Sequence, residues 1–177
     1  MTTATVKTSC LTQKIYRFGF SLSPAIALLI ILWGCTATDL NVEAITWKTY
    51  SNSRYGFEFP YPSNWTSLAP PENDDGIGFI SPDNNSVEIR GWAIQQLPNL
   101  IVKEREFGKK IKPNFQTAQG ISGVLVVEVD RQATSMTLTL THNQVKYHWQ
   151  GRSNSKEFPN YYRLFYYIAQ QYRIPKS

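Results

Sequence analysis

The chain has 177 residues, with 18 Lys plus Arg against 13 Asp plus Glu and a formal net charge of +5 at pH 7. Lys7, Lys14 and Arg17 fall in the first 34 positions with no acidic residue among them, so the remainder holds 15 basic against 13 acidic side chains; that balance excludes the basic footprint of a nucleic-acid-binding domain. Of the 2 cysteines, Cys10 lies in this leader and Cys35 follows it alone, which excludes an intramolecular disulfide, a CxxC redox pair and a thiolate zinc site beyond it.

The leader has three zones. Met1 to Arg17 is basic, Phe18 to Trp33 is uncharged and ends in the apolar run Ala25 to Trp33, and Gly34-Cys35 leads into Thr36-Ala37-Thr38. This is the layout of a secretory signal. The apolar core is about half the ~20 residues that a spanning helix needs, and Pro24, Ser21 and Ser23 interrupt it, which favours a removed signal over a permanent signal anchor. Leu32-Trp33-Gly34-Cys35 resembles the lipobox of bacterial lipoproteins, with Trp33 as the departure from its usual small residue. The resemblance implies cleavage between Gly34 and Cys35, lipidation of Cys35, and a membrane anchor on the periplasmic or extracytoplasmic face. Acyl chains contribute ~0.8 kcal/mol per buried methylene, so two or more hold a protein at a bilayer without any spanning helix.

Removal of residues 1–34 leaves residues 35–45 as a lipidated tether and 46–177 as a single domain, whose many Trp, Tyr and Phe supply a core without disulfides. Thr46 to Tyr50 alternates and reads as a strand, Ser51 to Arg54 as a turn. Tyr55 to Phe59 alternates again, with Tyr55, Phe57 and Phe59 on one face and Pro60 and Pro62 ending it. Pro70 to Gly76 is a loop. Ile77 to Ser81 and Val87 to Ala93 read as a hairpin around Pro82 to Asn85, whereas Ile94 to Phe107 fits helix or strand. Ser122 to Asp130, Ser135 to Thr141 and Gln144 to Gln150 read as successive antiparallel strands. The first is apolar enough on both sides to be covered on both faces. Phe158, Tyr161, Tyr162, Phe165, Ile168, Ala169 and Tyr172 fall at helical spacing, with Pro159 in the first turn and Pro175 beyond the end. Strands followed by a closing amphipathic helix predict an α+β fold with an antiparallel sheet.

The run Tyr50-Ser51-Asn52-Ser53-Arg54-Tyr55-Gly56-Phe57-Glu58-Phe59-Pro60-Tyr61-Pro62-Ser63-Asn64-Trp65 is similar to the opening of PsbP-like domains. The loop and hairpin from Glu72 to Asp83 and the terminal aromatic helix fit the same superfamily. The resemblance spans about Trp47 to Ile174 and implies an α-β-α sandwich around an antiparallel sheet. It also implies a largely non-enzymatic role: photosystem subunits or assembly factors in phototrophs, poorly defined lipoproteins elsewhere. No segment matches those by which photosystem subunits dock.

Gly120-Ile121-Ser122-Gly123 has the wrong spacing for a nucleophile elbow. His142 and His148 lack a second ligand at i+2 or i+4, so no metal or other cofactor is predicted. Asp74, Asp75 and Asp83 lie among Asn residues that suit either calcium or ordinary turns. The basic stretch containing Lys103, Arg105, Lys109, Lys110 and Lys112 reads either as a solvated face or, at Lys109, Lys110 and Lys112, as a contact for anionic lipid. Tyr166 and Tyr167 fall off the helix's main stripe and, with Trp149, are the candidate partner-binding aromatics. The resulting expectation is a membrane-anchored, non-catalytic module that binds or scaffolds envelope proteins and takes no nucleic acid. Its alternative is a small-ligand or cell-wall-glycan binder with an aromatic cleft near Trp92 and Trp149.

Overall fold

A computed structural model describes residues 42–96 and 112–175. The expected signal over residues 1–34, Gly34 included, lies outside them, as do Cys35, Lys109, Lys110 and most of the ambiguous stretch after Ile94.

Period-two alternation produces the main sheet. In β8 (Ala133–His142), Thr134, Met136, Leu138 and Leu140 are buried while Ser135, Thr137 and Thr139 face the other way, half-exposed. In β9 (Val145–Asn154) the inward set is Val145, Tyr147, Trp149, Gly151 and Ser153. One buried set and one solvated set is the signature of an antiparallel sheet packed on a single face. Asn143 and Gln144 join the two strands with φ of 47° and 63°, the pair of left-handed residues that a tight hairpin demands. The remaining strands are β3 (Thr66–Ser67), β4 (Gly76–Ile80), β5 (Glu88–Gln95), β6 (Phe115–Gln116) and β7 (Ser122–Val129), in the spatial order β3-β4-β5-β9-β8-β7-β6, every pairing antiparallel. Both predicted hairpin regions are present. The β5–β9 seam, from Glu88↔Arg152 to Gln95↔Val145, joins strands far apart in the chain.

A second, two-stranded sheet pairs β1 (Trp47–Ser51) with β2 (Glu58–Pro62). The expectation that Pro60 and Pro62 end the second strand is corrected: both lie within it. Among the described residues β2 is laddered only to β1, apart from a single bridge between Glu58 and Arg173 at its start, and a strand edge left open at the prolines tolerates residues that lack an N–H. Asn52 builds the connecting turn: its Oδ1 accepts from the Tyr55 N–H at 2.8 Å and its Nδ2 donates to the Asp74 carbonyl at 3.0 Å. The Ser53 hydroxyl adds a bond to Asp74 Oδ2 at 2.9 Å.

The terminal helix, α1 (Phe158–Gln171), starts with proline in its first turn and buries Phe158, Leu164, Phe165, Ile168 and Ala169. Among the described residues it is the one α-helix, and it packs with β2 on the inner face of the main sheet. The α+β class is therefore as expected; a helix layer on the outer face, which the sandwich resemblance implies, is not among the described residues. The core between is aromatic. Tyr172 stacks on Phe57 at 5.7 Å and Phe59 at 6.0 Å, and Trp149 meets Phe165 edge-on at 6.2 Å. Two glycines make room for these rings: a Cβ on Gly91 would stand 2.4 Å from Phe59 Cε1, and one on Gly151 2.5 Å from Phe165 Cδ1.

A second correction concerns β7. Its inner-face residue Leu125 is half-buried, but Val126, Val127 and Val129 are exposed rather than covered. The helix lies over β9, β8 and β2, so the distal half of β7 passes beyond it.

Two outcomes follow for stability. Gly151→Ala forces a methyl into Phe165 and is expected to cost about 1–3 kcal/mol, a fall in Tm of roughly 3–9 °C; an unchanged melting curve would refute the close-approach argument. The Tyr172 hydroxyl is buried without a protein partner, and burial, then Tyr147 and Tyr50, push its pKa well above the phenolic norm. The folded state thus keeps a proton that the unfolded chain releases above about pH 10, and stability falls as pH rises past that point. Tyr172→Phe is expected to leave stability at pH 7 unchanged or raise it by up to ~1 kcal/mol, and to move the alkaline unfolding midpoint upward. Circular dichroism titration of both proteins measures this.

Candidate functional site

The roll of α1 over the sheet decides which of its aromatics meet solvent. With Phe165 and Ile168 turned inward, the i, i+4 pair Tyr162 and Tyr166 lies on the outer side, 43% and 39% exposed, with ring centroids 6.1 Å apart. Phe158 meets Tyr162 edge-on at 6.2 Å, and Phe115 from β6 meets Tyr166 edge-on at 5.5 Å. The result is a run of four contacting rings of which Tyr162 and Tyr166 are exposed, Phe115 is half-buried and Phe158 is buried.

Of the expected aromatics, Tyr166 is at this surface and the other two are not. Tyr167, one residue and about 100° further round the helix, is half-buried and packs on Trp47 at 4.9 Å. Trp149 is completely enclosed, its Nε1 without a protein partner. As a partner-binding residue it is therefore corrected to a core residue. Tyr162 had read as part of the apolar stripe, while Leu164 takes the buried place. The four-residue spacing of Tyr162 and Tyr166 was the available signal.

Trp92 and Trp149 do not share one cleft, although Trp92 lines a hollow of about 430 Å³ with Leu68, Pro71, Ile77 and Arg90. Trp92 pairs across β5–β9 with His148, whose ring it stacks on at 5.0 Å, and both point to the outer face; Trp149 points inward. Thr139 Oγ1 lies 3.1 Å from His148 Nδ1. Burial, with Lys146 second, lowers the His148 pKa below the usual imidazole range, so this ring stays neutral where an exposed histidine begins to charge. His142 sits at the β8–β9 turn opposite Val145.

Two hollows flank the inner face. One, of about 250 Å³, lies between Trp47 and Tyr167, with Glu58, Gln171 and Arg173 on its polar rim. Reciprocal backbone bonds between Glu58 and Arg173, 3.0 and 2.9 Å, hold its floor. The other, of about 360 Å³, receives the chain's first described residues: a 3-10 turn, Val42–Ala44, leads Ile45 to Trp65, Tyr161 and Leu164. Tyr161 has a raised pKa from burial, then Glu157 and Asp83, opposed by a hydrogen bond with Asn84. Glu157 Oε2 accepts from Asn84 Nδ2 at 2.7 Å and from the Ser86 hydroxyl at 3.1 Å. At the other acidic turn, Asp75 Oδ2 accepts from Asn73 Nδ2 at 2.6 Å. Among the described residues no three His, Cys, Asp or Glu side chains gather where they could hold a metal ion. Ser122 lies opposite Gln116 in the β6–β7 pairing, and Lys112 is exposed just before β6. Among the described residues no helix is long and apolar enough to cross a membrane.

No family model matches the chain, and no curated protein matches its sequence. In three dimensions it is similar to the cyanobacterial PsbP (CyanoP) of Synechocystis sp. PCC 6803, with a TM-score of 0.54 and 12% identity over 76% of this chain and 96% of that one. A protein of Bacteroides thetaiotaomicron VPI-5482 gives a TM-score of 0.46 at 14% identity over 68% of this chain and 46% of that one. The first likeness gives the chain a PsbP-like α+β fold.

Proposed function

We propose that the protein is a membrane-anchored envelope lipoprotein whose folded part is a non-catalytic module for binding or scaffolding other proteins. The observation that carries the binding half is the Tyr162–Tyr166 pair. Two large rings stay outside a core that has enclosed Trp149, Phe165 and Tyr172, and tyrosine is a favoured contact residue because it buries area while keeping a polar tip. The anchoring half rests on the leader and on Cys35. Six residues lie between Cys35 and Val42, a reach of at most about 25 Å. A lipid on Cys35 would therefore keep the folded part within a short tether of the bilayer, where membrane proteins are found. The resemblance to PsbP-like domains supports the non-catalytic reading by fold alone.

Each half has its own test. Metabolic labelling with an alkyne fatty acid is expected to mark the wild type and not Cys35→Ser, which should also leave the membrane fraction; an unlabelled wild type of full precursor mass refutes the anchor. For binding, proteins crosslinked in membranes and recovered with the wild type are expected to be lost with Tyr162→Ser/Tyr166→Ser; because both rings also pack on Phe158 and Phe115, the variant is expected to melt a few degrees lower, and its circular dichroism spectrum at the assay temperature checks that it is folded. An identical crosslinked set from both proteins counts against the tyrosine surface.

A further inference from the structure

Among the described residues, the outer edge of β7 is an unfilled strand position. Asp130 N–H bonds to the Ala133 carbonyl at 3.1 Å to close the β7–β8 turn, so alternation turns the backbone groups of Glu128 and Val126 toward β8 and those of Leu125, Val127 and Val129 outward. Leu125 is satisfied by one side chain: its N–H donates to Asn114 Oδ1 at 2.8 Å, and its carbonyl accepts from Asn114 Nδ2 at 2.9 Å. Asn114 thus extends the short β6 pairing by one rung. Beyond it, among the described residues, no strand pairs with Val127 or Val129 on that side. The side chains there are apolar and exposed, Val126 by 37%, Val127 by 42% and Val129 by 77%, with the exposed carboxylates of Glu128 and Asp130 between and after them.

This edge is held ready. The Ser155 hydroxyl donates to the Asp130 carbonyl at 2.6 Å, the Ser155 N–H to the Gln132 carbonyl at 3.1 Å, and the Thr134 hydroxyl to Ser155 Oγ at 2.9 Å. The hairpin tip is therefore tied to the segment just before α1, and a strand added to β7 would meet a preformed ladder, the condition under which strand addition costs least in ordering.

Charge selects the occupant. A second copy pairing symmetrically can fill both open rungs by setting Val127 of each copy against Val129 of the other, but that register puts Glu128 against its own symmetry mate. Shifting the symmetry centre to Val129 sets Glu128 against Asp130 instead. Like charges directly opposed across a sheet are destabilising, so the acidic residues resist self-pairing. We infer that the β7 edge from Val127 to Val129 accepts an extended peptide strand with apolar side chains opposite the two valines and a lysine or arginine opposite Glu128. The inference deepens the binding-module reading at a surface separate from the tyrosine pair, so either can fail alone.

The test uses the full-length protein in a neutral detergent, titrated with labelled, end-capped heptapeptides of alternating valine and lysine or alternating valine and glutamate. The valine–lysine peptide is expected to bind at least about tenfold more tightly and to slow hydrogen exchange at the Val127 and Val129 amides. Glu128→Lys should reverse the preference, and Val127→Pro should abolish binding. Should Val127→Pro fail to fold, the swap at the exposed Glu128 decides alone. Equal binding of both peptides, protection elsewhere than Val127 and Val129, or an unchanged preference in Glu128→Lys overturns the inference. So does dimerisation of Glu128→Gln without peptide binding, which would assign the edge to a second copy.

Discussion

Aromatic rings seated directly on bare backbone hold this fold together. Phe59 lies where Gly91 has no side chain, and Phe165 does the same over Gly151. These contacts bring β2 down on β5 and α1 down on β9, closer than any residue with a Cβ would allow. Tyr172 then fills the space between the two layers by stacking on Phe57 and Phe59. The surface inherits its layout from these contacts. Once Phe165 is seated, the helix has one rotational setting, which sends Tyr162 and Tyr166 outward and Tyr167 toward Trp47.

The two edges of the main sheet are managed differently. At one edge β3 is only Thr66–Ser67, both exposed and polar, a strand too short to template much pairing. At the other, β6 is equally short; Asn114 fills the Leu125 rung beside it, and beyond that rung β7 has no strand neighbour among the described residues. An edge that is apolar, braced by Ser155 and guarded by carboxylates combines a surface for strand addition with a deterrent to self-association. The tyrosine pair and this edge offer different chemistry: rings for a folded surface, backbone groups for an extended segment.

Legibility followed the physics of each element. The β8–β9 hairpin could be read because each strand alternates strictly, and α1 because its apolar residues recur at three and four. Prolines misled at β2, since whether a strand tolerates a missing N–H depends on whether it has one neighbour or two. Valines misled at β7, since burial depends on what lies overhead. Trp149 looked available for a partner because composition makes tryptophan an attractive contact residue; its place on the inner side of β9 made it core. Tyr162 was hidden in a seven-residue stripe broader than the face the helix buries.

By itself the sequence determined what local pattern can determine: the antiparallel hairpins, the closing helix and the α+β class. These depend on side-chain period and on turn chemistry, both of which act between near neighbours in the chain. Only the tertiary structure decided that β5 pairs with β9, that two glycines admit aromatic rings, which face of α1 meets water and how far β6 covers β7. Each of these is set by contacts between residues distant in sequence, whose cost and gain appear only when the layers close on one another.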